Sequence, residues 1–261
     1  MSAPTAVRAH DALEPVRDTL RMMAADASRP MRGISPDLAA HGSGWVQATA
    51  LTSGDALDDL LAAARIRWQA TPHAAAALAW KAYTYWLALP AVLGYTGVRR
   101  VPLLRPDAVR VRWSTTAPFL QVALIPDAFE VAVLGPDPLA AAGRSALRIA
   151  ADDDELLALL RASLLDDHLE PLMDQIRRRV HLGRHALLGS VASGIAHGLS
   201  RSADVMSGPT LEVAHKMLEA LDLAGLVELA PAPVGVSVHR RTCCLAFTLP
   251  TPKVCTDCCI R

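Results

Sequence analysis

The chain has 261 residues, enough for one large domain or two closely packed ones, and its 52% hydrophobic and 20% charged residues describe an ordered globular protein. Twenty-six basic residues balance 26 acidic ones, so no long-range field draws nucleic acid or an anionic membrane. Met1–His10 lacks the continuous apolar core of a signal peptide, which makes the cytoplasm the expected compartment.

Taken in order, residues 1–50 read as short helical fragments broken by Pro30, Pro36 and the Gly42-Ser43-Gly44 turn. Asp55–Gln69 reads as a helix, with Leu57, Leu60, Leu61, Ala64 and Trp68 on one apolar face. Thr71-Pro72 then offers an N-cap followed by proline at the first helical position. The next helix is expected from Pro72 to about Leu89, with Pro90 ending it; it is apolar nearly all round, which predicts burial. Ala74–Tyr95 is interrupted by Lys81 and Pro90, so a buried helix is expected there in preference to a membrane span.

The period then changes. Val109-Arg110-Val111-Arg112-Trp113 alternates like a half-buried strand, and Phe119–Ile125 and Phe129–Leu134 are further short apolar runs joined at Pro126-Asp127. Together they predict a small antiparallel sheet closed by Gly135–Pro138. Arg110 and Arg112, with Arg99 and Arg100, are weak candidates for contacting a ligand's oxygens, although a solvated strand face is the plainer reading. Helical period returns over Asp152–Leu165, Asp167–Arg179, Gly183–Leu199 and Pro209–Ala224, with Asp152, Asp153 and Asp154 suiting a helix start. Ala230–Gly235 reads as a linker before the apolar run Val236–Val238. The fold class expected is α+β, helix-dominant, with the small sheet in the middle of the chain.

All five cysteines, Cys243, Cys244, Cys255, Cys258 and Cys259, fall in one short stretch spaced C-C-x10-C-x2-C-C. Clustered thiols in a reducing compartment point to metal or redox chemistry in preference to a disulfide framework. Thiolates suit zinc, copper(I) or an iron–sulfur cluster, and four complete an all-sulfur site. A thioredoxin-like reading of Cys255–Cys258 needs a βαβ context, and the prolines before it argue against one. The adjacent pair Cys243-Cys244 is no zinc knuckle, because neighbouring extended residues point to opposite faces; a two-iron cluster, being larger, accepts such ligands more easily.

Arg240-Arg241-Thr242-Cys243-Cys244, ten residues, then Cys255-Thr256-Asp257-Cys258 resembles the C-terminal motif of the FhuF-type ferric siderophore reductases. His185–Gly194 also looks similar, more loosely, to a helix preceding that motif. The resemblance implies a [2Fe–2S] cluster on Cys243, Cys244, Cys255 and Cys258, with Cys259 outside the set as a spare thiol, a substitute ligand or a redox-sensitive neighbour. The order of elements along the chain divides it into a mixed N-terminal part (1–150), a helical part (151–229) and an expected cluster-binding segment (230–261).

His181 and His185 are four apart, as metal ligands on a helix can be, but no third ligand stands at readable spacing, which favours a surface or capping role. His239 raises a Rieske-like mixed ligation, although four cysteines already make a full set. Arg240 and Arg241 are either donors to cluster sulfur, raising its potential, or a solvated basic pair. There is no G-x-G-x-x-G and no P-loop, and Ser190 lacks the nucleophile-elbow pattern.

The function so implied is a cytoplasmic ferric-siderophore reductase passing one electron to Fe(III) in a chelate, of hydroxamate type on the resemblance. The electron would come from a ferredoxin, a flavoprotein or another reductant. The alternatives are a non-enzymatic protein stapled by a four-cysteine zinc site, and a [2Fe–2S] relay or redox sensor.

Overall fold

The structure is a computed structural model that describes residues 9–126, 128–142, 146–204, 210–255 and 258–260. Two short helices, α1 (Ala9–Ala12) and α2 (Glu14–Ala25), precede a two-residue strand β1 (Val46–Gln47), a single turn α3 (Thr49–Thr52) and the helix α4 (Leu57–Trp68). The organising element is α5, Pro72–Val98. Thr71 caps it by accepting a hydrogen bond from the Ala74 amide, and Pro72 stands at its start.

Pro90 does not end this helix. It lies inside it, and α5 continues to Arg99, whose left-handed φ of 53° turns the chain. An interior proline costs roughly 3 kcal/mol. Leu87, Leu89, Val92, Leu93 and Tyr95 are each at most 1% exposed, and each large apolar side chain contributes about 1.5–3 kcal/mol on burial, so packing outweighs the lost bond. Gly94 lets the chain double back: a Cβ there would lie 2.0 Å from the Arg100 carbonyl oxygen.

The three apolar runs do form strands, but not one sheet. β2 (Arg100–Pro102) follows α5; β3 (Val109–Trp113) and β4 (Leu120–Leu124) pair antiparallel, with β1 on the other side of β3. β5 (Val131–Leu134) leaves β4 and lies between β2, antiparallel, and β6 (Leu147–Ala150), parallel. Arg100 of β2 is held by Asp137, just past β5, with Nε 2.7 Å from its carboxylate. The Pro126-Asp127 junction therefore links two small sheets; Asp127 itself lies outside the described residues.

The two helices expected over 152–179 are one helical run. Asp152 caps α6 (Asp153–Arg161) through the amides of Asp154 and Glu155; a π-helical stretch over Ala162–Leu169 carries it into α7 (Glu170–Arg179). The π stretch holds His168, fully buried, whose Nδ1 donates to the Leu104 carbonyl at 2.6 Å while Nε2 faces the Tyr83 hydroxyl at 2.5 Å. A carbonyl only accepts, so Nδ1 carries the proton and Nε2 accepts from tyrosine. Burial pushes the His168 pKa down to about 4, against the opposing pull of the Leu104 carbonyl and Asp107.

α8 (Arg184–Ser202) packs along α5, and α9 (Thr210–Ala220) packs on α8. Pro209, expected to open that last helix, lies outside the described residues. The expected linker is mostly strand and turn: β7 (Val227–Pro231) and β8 (Val236–Arg240) form an antiparallel hairpin, which packs on α8. The core runs through all these elements except β1, and the fold is α+β with helix dominant. Among the described residues no helix is long and apolar enough to cross a membrane.

Candidate metal centre

β8 delivers the cysteine segment to the α5–α8 helix pair. Its alternation settles the neighbours of the cysteines: Val236, Val238 and Arg240 face inward, while Ser237 and His239 face outward. His239 thus stands on the opposite face of the strand from Arg240, which removes the basis for a mixed histidine ligation. Thr242 then wedges against α8, where Gly189 makes room: a Cβ there would lie 2.1 Å from the Thr242 hydroxyl oxygen.

Cys244 is buried, and its sulfur lies 3.9 Å from that of Cys255. Ala246 and Leu249 pack with them against Trp68, Ala70 and Leu78. Lys81, the lone charge in the apolar stretch of α5, reaches this pair with Nζ 3.6 Å from the Cys255 sulfur. Burial resists ionisation of both thiols; on Cys244 the Lys81 ammonium, then the Ala246 amide and then the Arg240 charge overcome it, so its pKa falls. On Cys255 burial wins, with the Cys244 charge added, and its pKa rises despite the same two cations. The pair titrates as a unit in which Cys244 becomes the thiolate first.

Cys243 receives the Leu245 amide at 3.3 Å. Cys259 stands beside Cys243 and Cys258; burial and those two thiols push its own pKa up. Cys258 is buried. The five cysteines therefore gather at one end of the fold as a Cys244–Cys255 pair and a Cys243–Cys258–Cys259 group. Among the described residues no three His, Cys, Asp or Glu side chains converge closely enough to hold a metal ion. Thr256 and Asp257, between the last ligands, lie outside the described residues.

The surroundings nevertheless suit a multiply anionic group. Arg240 is 2% exposed, and only its Nη2 has a partner, the Ser190 hydroxyl at 3.2 Å; Nε and Nη1 have none among the described residues. Two cations thus act on the thiols from the protein side. Two cavities flank Ser190. One of about 240 Å³ touches His185, Thr242 and Cys243; the other, about 260 Å³, lies between Trp68, Leu78, Lys81, Tyr85 and His197.

The remaining candidates have other work. Arg112 donates to Gln121 and to the carbonyls of His41 and Ser43, tying a loop to β3. Arg110 points to solvent, Arg99 pairs with Asp153 and Arg100 with Asp137. His181 precedes α8 and is exposed, as is His185, so the two do not share a helix face. Arg241 is exposed, which separates it from Arg240. Lys81 and Thr242 were missed as site residues, and only Lys81 left a trace in the sequence, as a charge that an apolar helix would otherwise exclude.

Gly189→Ala is expected to dislodge Thr242 and with it the cysteine segment. Alkylation of Cys244 in the metal-free protein should accelerate by about tenfold, corresponding to about 1.4 kcal/mol of easier opening. Timed labelling followed by mass spectrometry checks this; an unchanged rate means that the wedge does not hold the segment. No family model and no curated protein matches the chain.

Proposed function

We propose that the chain is a cytoplasmic ferric-siderophore reductase whose Cys243, Cys244, Cys255 and Cys258 hold a [2Fe–2S] cluster. The observation that carries the proposal is the C-C-x10-C-x2-C spacing, set in a pocket where Lys81 and Arg240 bring positive charge to the thiols. Such a cluster supplies one-electron chemistry, and Fe(III), held tightly by hard hydroxamate oxygens, is released once reduced to the weakly held Fe(II).

The chain's own residues contribute position and charge. Lys81 and Arg240 favour the thiolate forms that metal binding needs. Trp68, Leu78 and Leu249 pack about the Cys244–Cys255 side and limit water there. The cavity at Lys81 and Tyr85 gives an arm of the chelate a place beside Lys81, whose ammonium reaches Cys255. With no nucleotide-binding motif in the sequence, the electron comes from a separate donor, a ferredoxin, flavoprotein or other reductant.

The test is an absorption spectrum with iron and sulfide assays on anaerobically purified protein. Visible bands that bleach with dithionite, with iron and sulfide near about two per chain, are expected for a [2Fe–2S] centre. Adding a ferric hydroxamate to the reduced protein should then restore the oxidised spectrum and release Fe(II). A colourless protein with one zinc overturns the reductase and leaves a structural staple. A bleachable cluster indifferent to siderophores leaves a relay or sensor.

A further inference from the structure

A buried arginine with unused donors is expensive to keep. Arg240 is 2% exposed, yet its Nε and Nη1 are unpaired among the described residues. The hydroxyls nearby do not relieve it. Ser190 takes only Nη2, while Ser193 Oγ, one turn further along α8, and Thr242 Oγ1, two residues on in the chain, are themselves buried without partners among the described residues. Desolvating a cation costs several kcal/mol unless an anion answers it, and orphaned donors add to that. The hairpin offers no escape, because Val236, Val238 and Arg240 all face α8 by strand alternation. An anion would answer this charge, and the nearest candidates by geometry are the thiols: Ser190, which takes Nη2, lines one cavity together with Thr242 and Cys243, and Arg240 stands three residues before Cys243 in the chain.

We propose that Arg240 is the counter-ion of the metal–thiolate centre, giving its Nε–H and Nη1–H to the sulfurs of that centre. It is a positioning residue: it acts on the metal through the ligands. The inference rests on the proposed function only in needing a thiolate-bound metal, since four thiolates around zinc or around a [2Fe–2S] core both leave net negative charge. Its consequence is a linkage between loading and stability. The metal-free protein carries an unanswered buried charge, and the loaded protein does not.

Arg240→Met separates the two states, because methionine keeps an apolar stem and removes the charge. In chelator-stripped protein kept anaerobic, Arg240→Met is expected to melt above wild type. In the loaded protein the sign reverses, with metal lost to a competing chelator about tenfold faster. If the centre is a cluster, the ratio of reduced to oxidised protein at a fixed potential should fall about tenfold, a 59 mV drop for one electron. Arg240→Lys should recover much of that potential, and Arg241→Met, at an exposed position, should change neither quantity.

A wild type that loads zinc overturns the reductase but not the counter-ion, whose loss still speeds zinc release. Arg240→Met that melts below wild type when stripped, and holds metal and potential as wild type does, overturns the counter-ion and leaves the reductase standing. Should Arg240→Met fail to fold, Arg240→Lys and Arg240→Gln give the same comparison of potential and metal retention.

Discussion

Replacing Cys244 with serine is expected to give a colourless chain with at most one-tenth of the wild-type iron, while Cys259→Ser keeps its colour. Cys244 is the thiol that the Lys81 and Arg240 charges favour as thiolate, and it is buried against Cys255 at 3.9 Å. A serine hydroxyl is harder and far less acidic than a thiol, so the soft ligand is lost without a change of shape. Cys255→Ser is expected to behave the same way. The structure makes Cys259 the informative control, since it stands beside Cys243 and Cys258 and so is close enough to compete for their place. Iron and sulfide assays on Cys258→Ser and Cys259→Ser, purified side by side, decide it. Loss of iron in Cys259→Ser and its retention in Cys258→Ser would move the fourth ligand by one residue.

Acid should weaken the protein through a buried histidine that is not part of the cysteine cluster. His168 is buried and neutral, with its pKa lowered by burial to about 4, whereas in the unfolded chain it titrates near 6.5. Between those values the unfolded state binds more protons, so stability rises with pH there. The contribution is fully present above about pH 6.5 and is lost as pH falls towards 4, amounting to roughly 2.5 kcal/mol by pH 4.5. His168→Gln removes the titration. It is expected to be less stable than wild type at pH 7, having lost the Tyr83–His168–Leu104 chain of hydrogen bonds, but to lose less on going to pH 4.5. Urea unfolding at the two pH values gives the double difference, in which the carboxylates common to both proteins cancel. Equal losses in both would mean that His168 protonates without opening the core.

Local signals were legible in the sequence. Thr71-Pro72 and Asp152 mark helix starts because a cap is made within four residues, and Val109–Trp113 declares its buried face by alternation alone. What failed was non-local. Nothing near Val131 tells it to leave β4 and insert between Arg100–Pro102 and Leu147–Ala150. Pro90 stops a helix in isolation, but not one buried on both sides of it. The join between the helices expected before and after Asp166 needed a π-helical stretch, and no residue announces one. At the candidate site the cysteines announced themselves by spacing, and Arg240 could have been told from Arg241 by extending the Val236, Val238 alternation two residues further. The approach of Lys81 to Cys255 spans 174 positions and left only a misplaced charge as a clue.

That separation in sequence has a consequence for how the centre is assembled during synthesis. The floor of the site, with Trp68, Leu78 and Lys81, leaves the ribosome long before Cys243, and the wall of α8 also comes first. Chains fold from the N-terminus as they emerge, and distant contacts close last. Delivery of the metal proposed for these cysteines would therefore be a late event, because the cysteine segment is made after Lys81 and α8.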